Sequence, residues 1–255
     1  MTIVAFPTSQ PEGTALAHVE LGTGMGIGGA VSWSIQTLNA GPLRSSPEYD
    51  RHLRDTVGSS YDWSDEFRFD KRTGRLASFI LKAPEAGLVD PEVAGSWLAL
   101  PRQTGVPVLD DRENGFHIDP LDLRFLASDG SALVVADTGL PRADGDSLRL
   151  AIDDDLDLLF HRGRYHGWIL NNPVAHLVAE PGDRMQGSDD PRLHALLREY
   201  LTLLVQPNID RMSDEDPAMR DALEALKARI QAVNAVQARA LERAVERVLE
   251  VFYPG

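Results

Sequence analysis

Hydrophobic and polar positions alternate along much of the first 170 residues, and the period then changes. Val31, Trp33 and Ile35 interleave with Ser32, Ser34 and Gln36. This is the period of two that a half-buried strand imposes, because its successive side chains point to opposite faces. His18-Val19-Glu20-Leu21 reads as a strand ahead of it, joined to it by the glycine-rich residues 22–29. Phe67 and Phe69 alternate with Arg68 and Asp70, residues 70–74 turn the chain, and 76–81 return. Residues 121–127 and 131–136 flank Asp129-Gly130, a hairpin signal. Residues 148–152, 156–161 and 165–170 predict a three-strand meander. A short helix interrupts the strands, with Ser46 as its N-cap, Pro47 in its first position and Gly58 to end it. Residues 83–115 are rich in Pro and Gly and give no clear element; long irregular segments in compact domains are often binding loops.

From Asn172-Pro173 the apolar spacing becomes helical. Residues 173–180 read as a short helix capped by Asn172. Asp190-Pro191 opens a second helix, with Leu193, Leu196, Leu197, Tyr200, Leu201 and Leu204 on one stripe. Asp216-Pro217 opens a third. No Pro or Gly lies between 218 and 253, so this helix is expected to run unbroken over 217–252, about 54 Å at 1.5 Å per residue. It carries two stripes on rotated faces: Leu223, Leu226, Ile230 and Val233, then Leu241, Val245, Val248 and Phe252. A straight helix would turn the second stripe toward a homodimer partner; a bend near Asn234 is the alternative. The fold class is therefore α+β: an antiparallel β sandwich or distorted barrel over about 1–170, with a helical C-terminal third, 171–255, packed on it and not stable alone.

Composition narrows the function classes. The 255 residues contain no cysteine, which removes disulfides, Cys-ligated zinc, Fe–S clusters and thiol nucleophiles. No apolar run is long enough for a membrane span, and the N-terminus lacks the basic region of a secretory signal, so a cytoplasmic protein is expected. Lysine occurs only at 71, 82 and 227, an arginine skew that fits a bacterium with a GC-rich genome. The net charge of −14 opposes non-specific binding to nucleic acid or to anionic membranes, and suits a basic protein or a cationic ligand. Most of it lies on residues 1–170, with 25 acidic residues against 15 basic.

Several short motifs invite chemistry. Gly24-Met25-Gly26-Ile27-Gly28-Gly29 has the G-x-G-x-x-G spacing of a dinucleotide site, but that chemistry needs a helix to begin there, and a strand pattern follows. Asp153-Asp154-Asp155-Leu156-Asp157 resembles the magnesium-binding D-D-x-x-D motif of terpene cyclases. That motif works from a helix in an all-helical protein, whereas this string joins two strands and reads as a solvated turn. His117 and Asp119 share a face of an extended segment without a third metal ligand nearby. No G-x-S-x-G, H-E-x-x-H or P-loop string is present. No metal or cofactor is therefore expected.

The densest chemistry lies in Phe160-His161-Arg162-Gly163-Arg164-Tyr165-His166-Gly167-Trp168. Arg162-Gly163 as a two-residue turn would pair Phe160 with Tyr165 and put His161 and His166 on one face. The preceding loop would bring Asp144 and Asp146 to the same end. His161, His166, Tyr165, Asp144 and Asp146 are the candidate acid–base residues, and Arg162, Arg164 and Trp168 the candidate ligand-binding residues. The bland alternative is a polar hairpin tip salt-linked to its neighbour loop. Two functions follow. One is a small-molecule-binding β protein, with metal- and nucleotide-independent acid–base chemistry of the cyclase, isomerase or lyase type. The other is an acidic accessory or immunity-type module masking a basic partner.

Overall fold

The computed structural model describes residues 2–6, 14–22, 30–42, 46–59, 64–85, 87–179 and 190–254. The glycine string 24–29 and Trp63 lie outside them. The chain is mixed α+β with mostly antiparallel pairing. Its strands are β1 (Thr2–Phe6), β2 (Ala15–Leu21), β3 (Ser32–Trp33), β4 (Thr37–Ala40), β5 (Thr56–Gly58), β6 (Glu66–Asp70), β7 (Leu76–Lys82), β8 (Gly87–Leu88), β9 (Arg102–Leu109), β10 (Leu123–Leu126), β11 (Ala132–Ala136), β12 (Ser147–Ala151), β13 (Leu156–His161) and β14 (Arg164–Asn171). Helices α1 (Pro47–Asp55) and α2 (Pro91–Leu98) fall among them; α3 (Pro191–Leu203), α4 (Gln206–Ser213), α5 (Pro217–Gln231) and α6 (Val236–Phe252) follow.

The strands form two sheets. The larger runs β1-β2-β9-β12-β13-β14-β11-β10-β8, and β1 also pairs with β14 at Ala5 and Arg164. The first six strands of that order thus close into a ring, which is the distorted barrel. The smaller sheet runs β3-β4-β7-β6-β5. Phe67 and Phe69 of the small sheet meet Phe6, Phe116 and Tyr165 with ring centroids 5.0–6.1 Å apart. One buried cluster runs from these rings to Leu193, Leu197, Leu223, Leu226 and Leu241 of the C-terminal helices. A second cluster lies on the other face of the large sheet, where Ala94 and Trp97 of α2 cover Val134, Leu159 and Ile169.

One device opens four helices. Ser46, Asp90, Asp190 and Asp216 each accept a backbone N–H of the first turn, and Pro follows each. Proline suits that position, where its missing N–H has no intrahelical role. Asn172 does not act this way. It takes a left-handed conformation without a side-chain cap, and Pro173–His176 form only a 3-10 turn.

The long C-terminal helix is two helices. The chain turns over residues 232–235, and α6 runs back antiparallel along α5. Lys227 reaches Glu246 at 2.9 Å, and Gln231 donates to Glu242 at 2.7 Å. This hairpin points both stripes inward, so Leu226, Ile230, Leu241 and Val245 are all fully buried within the chain. The rotated face that suggested a dimer contact is thus largely satisfied internally. α2, β1, β9 and α4 are further elements that the periodicity does not reveal. β9 contains Pro107, which would disqualify a central strand. Residues 105–109 pair with β2 along one edge, however, while on the other edge β12 pairs with 102–104 and Arg75 bridges Val108, so no ladder runs past the proline on that side.

Candidate functional site

The chemistry gathers at one end of the large sheet. There β13 turns into β14, β11 ends, and β10 and β12 begin, as the pairs His161–Arg164, Ala136–Gly167, Leu123–Ala136 and Ser147–His161 show. Arg162 and Gly163 form the turn, with φ of 49° and 76°, as a type I′ hairpin requires. Phe160 pairs with Tyr165 as the parity argument expects. A bulge follows, because Leu159 opposes Gly167 while Phe160 opposes Tyr165, so His166 is the extra residue. Gly167 has φ of 150°, and a Cβ there would come within 2.0 Å of the Val135 carbonyl oxygen. Only glycine fits beside β11.

This bulge sorts the candidate residues between two faces. Tyr165 and Trp168, three apart, both face the core. The Tyr165 hydroxyl donates to Asp65 Oδ2 at 2.7 Å, and the Lys82 N–H donates to Oδ1 at 2.8 Å. Burial pushes the Asp65 carboxyl up to about 7 and the Tyr165 hydroxyl well above its ordinary value. The pair links the two sheets through the interior. Trp168 is fully buried, and its indole N–H has no partner among the described residues. Neither ring joins the rim group.

His161 and His166 share the other face, with ring centroids 6.3 Å apart. His161 Nδ1 lies 3.2 Å from Ser147 Oγ and 3.5 Å from Asp144 Oδ1. The Asp146 N–H donates to Asp144 at 2.9 Å and holds that carboxyl below the usual range. Arg162 Nε donates to Asp146 Oδ2 at 3.3 Å in a largely exposed pair. Asp144, Asp146, His161 and Arg162 therefore do meet, as a surface cluster.

His166 has a different partner, and sequence reasoning misses it. Its Nδ1 lies 3.0 and 3.1 Å from the two carboxylate oxygens of Asp137. Asp137 also accepts the Gly139 N–H at 2.9 Å, and its own N–H donates to the His166 carbonyl at 2.9 Å. A carboxylate only accepts, so Nδ1 carries the proton and Nε2 of the neutral ring is left as an acceptor. Among the described residues Nε2 makes no hydrogen bond. The two side chains are only 9% and 19% exposed and form part of the wall of a cleft of about 560 Å³. Arg164, Asp119 and Asp122 line the same cleft, together with the apolar Ile118 and Leu121.

The Asp-rich turn sits at the opposite end of β13. Asp154 is exposed and Asp153 and Asp155 are half-buried, so the turn itself is solvated in part. Only the last carboxylate of the string, Asp157 within β13, departs from the solvated turn expected. Asp157 is fully buried: Arg149 Nε donates to Oδ2 at 2.7 Å, Arg102 Nε to Oδ1 at 2.8 Å, and Asn171 Nδ2 to Oδ2 at 3.2 Å. Arg149 also donates to the Leu98 carbonyl at 2.7 Å, which ties the end of α2 to the sheet. Asp155 meets His176 Nε2 at 3.1 Å and Asn172 Nδ2 at 3.0 Å. Half-burial pushes the Asp153 carboxyl up. Among the described residues no three His, Cys, Asp or Glu side chains are grouped to hold a metal ion. No helix among them is long and apolar enough to cross a membrane.

No protein-family model matches the chain, and no curated protein matches it either.

Proposed function

We propose that the protein binds a small polar organic molecule in the His166 cleft and that His166 moves a proton on it. The observation that supports this reading is the His166–Asp137 pair, which leaves Nε2 as an open proton acceptor at the wall of a cleft. Nε2 takes a proton from a carbon beside a carbonyl, giving an imidazolium and an enolate. Asp137 stabilises the imidazolium, and the Arg164 guanidinium offers charge to the enolate oxygen. Returning the proton to a different atom is isomerase chemistry; losing a leaving group from the neighbouring carbon is lyase chemistry. Asp119 and Asp122 suit a hydroxyl or ammonium group on the same molecule.

The test is exchange in D2O. Small hydroxy, amino and keto acids are incubated with the protein, and proton NMR follows the signal of the hydrogen beside the carbonyl. At least one compound exchanges in the wild type. In His166→Gln exchange slows by about 100-fold or more, the usual contribution of a positioned base, at an unchanged melting temperature. Exchange that is indifferent to His166→Gln contradicts the reading, as does a wild type that neither binds nor exchanges any of them.

One observation favours a second reading, an acidic module that masks a basic partner. Asp119, Asp122, Asp137, Asp144 and Asp146 crowd the end where Arg162 and Arg164 stand. A lysine-rich peptide that binds the wild type, and binds Asp119→Asn/Asp122→Asn more weakly, would favour it over the enzyme.

A further inference from the structure

His166 has a neighbour that the proposed reaction leaves unused. His161 ends β13, directly before the Arg162-Gly163 turn, and the pairing beyond that turn sets His161, Arg164 and His166 on one face of the hairpin. The two histidine rings lie with centroids 6.3 Å apart. The His161 side chain is 14% exposed. Its polar contacts run through Nδ1, and Nε2 makes no hydrogen bond among the described residues.

The two rings differ in what holds them. The partner of His166 is a carboxylate, which only accepts, so Nδ1 of that ring carries the proton. The nearest partner of His161 is a hydroxyl, Ser147 Oγ at 3.2 Å, and a hydroxyl can donate. Its oxygen already accepts the Asp144 N–H at 3.0 Å, which leaves its own proton for the ring. Asp144 Oδ1 is the competing acceptor, 3.3 Å from the hydroxyl and 3.5 Å from Nδ1, but it already takes the Asp146 N–H at 2.9 Å. With Ser147 donating to Nδ1, the neutral His161 ring carries its proton on Nε2.

We propose that His161 is a second catalytic residue of this site, donating from Nε2 to the carbonyl oxygen whose neighbouring carbon His166 deprotonates. The inference rests on the His166 reading and adds to it the substrate class. Each nitrogen works at about 3 Å from its atom, so rings 6.3 Å apart can serve two parts of one small molecule. His166 Nε2 takes the C–H proton, the C–H pair becomes a C=C bond, and the carbonyl pair moves onto oxygen. There the His161 N–H and the Arg164 guanidinium meet the charge. His161 keeps its proton throughout, because a neutral imidazole polarises a carbonyl without protonating it. The His166 imidazolium exchanges its proton with solvent and returns one to carbon. The substrate is then a ketone or an aldehyde. A carboxylate already bears a charge that opposes a second one beside it, so its neighbouring hydrogen is far less acidic.

Pyruvate is the probe and lactate, its hydroxy counterpart, the control, both followed by proton NMR in D2O with the full-length protein. The pyruvate methyl hydrogens are expected to exchange, and the lactate hydrogen beside the carboxylate is not. His161→Gln slows pyruvate exchange by about tenfold or more, as the loss of one aligned donor does, at an unchanged melting temperature. Long-range proton–nitrogen NMR of the wild type shows the neutral His161 ring protonated on Nε2, and Ser147→Ala moves that proton toward Nδ1. If His161→Gln fails to fold, the wild-type ring decides alone. Pyruvate exchange indifferent to His161→Gln overturns this inference and leaves the His166 reading standing. A neutral His161 protonated on Nδ1 does the same, as does exchange of lactate but not of pyruvate. A wild type that exchanges neither these two nor any other of the small acids overturns both.

Discussion

At one end of β13, Asp157 is enclosed by Arg102, Arg149 and Asn171, and Asp155 by His176 and Asn172. At the other end, Arg162 and Asp146 lie largely in solvent, and His166 turns one nitrogen to Asp137 while the other makes no hydrogen bond among the described residues. Both ends carry dense charge in the sequence, but only the first consumes it. A carboxylate gathered into a buried network orders the fold and has no valence left for a ligand. A histidine held at one nitrogen and open at the other has both a fixed orientation and a free lone pair. The difference teaches that charge density alone does not mark a site; what matters is which hydrogen-bonding groups remain unused.

Three changes sharpen that contrast, in falling order of effect. Asp157→Ala leaves two guanidinium groups without their buried partner, so stability should fall by about 3–5 kcal/mol in urea unfolding. His166 should keep its place in any fraction that folds. A loss under about 1 kcal/mol would show that the network is not a structural anchor.

Asp65→Asn acts on the inner face of the same hairpin. The folded carboxyl is raised to about 7, whereas an unfolded aspartate titrates near 4, so the native state keeps its proton longer. The stability this contributes is complete below pH about 4 and is lost as pH rises through about 7. The wild type should therefore lose stability on the order of a few kcal/mol between pH 4.5 and pH 8 at this group, and Asp65→Asn should flatten that slope. Parallel slopes for the two proteins would break the assignment.

Asp146→Asn should move stability by only about 0–1 kcal/mol, because its pair with Arg162 is exposed and screened. Its effect should shrink further in high salt. A change of several kcal/mol would mean that the open end is as structural as the closed one.

Local rules carried much of the fold. Ser46, Asp190 and Asp216, each before a proline, announce three helices, and Asp90-Pro91 carries the same signal inside the stretch that gave no assignment. The 162–163 turn and the pairing of Phe160 with Tyr165 follow from turn chemistry within eight residues. What escaped depends on distance along the chain. Asp137 meets His166 because β11 pairs with β14, and Asp65 meets Tyr165 across the two sheets, one hundred residues apart. Neither pairing leaves a local mark. The bulge at His166 could be suspected from Gly167, since an isolated glycine inside a strand pattern often marks one. The break between α5 and α6 has no proline or glycine to betray it; it is set by the hydrophobic demand of two stripes that must reach one core. The D-D-x-x-D string reads correctly as a turn, but the burial of its last carboxylate, Asp157, in β13 is not legible, because the arginines that enclose it come from β9 and β12.

The central claim is that His166 is held at Nδ1 and open at Nε2. Long-range proton–nitrogen NMR of the selectively labelled histidines reads this directly near neutral pH. The account expects the neutral His166 ring to carry its proton on Nδ1, with Nε2 showing the shift of an unprotonated nitrogen, and this pattern to weaken in Asp137→Asn. A neutral ring protonated at Nε2, or a pattern that Asp137→Asn leaves unaltered, would contradict it.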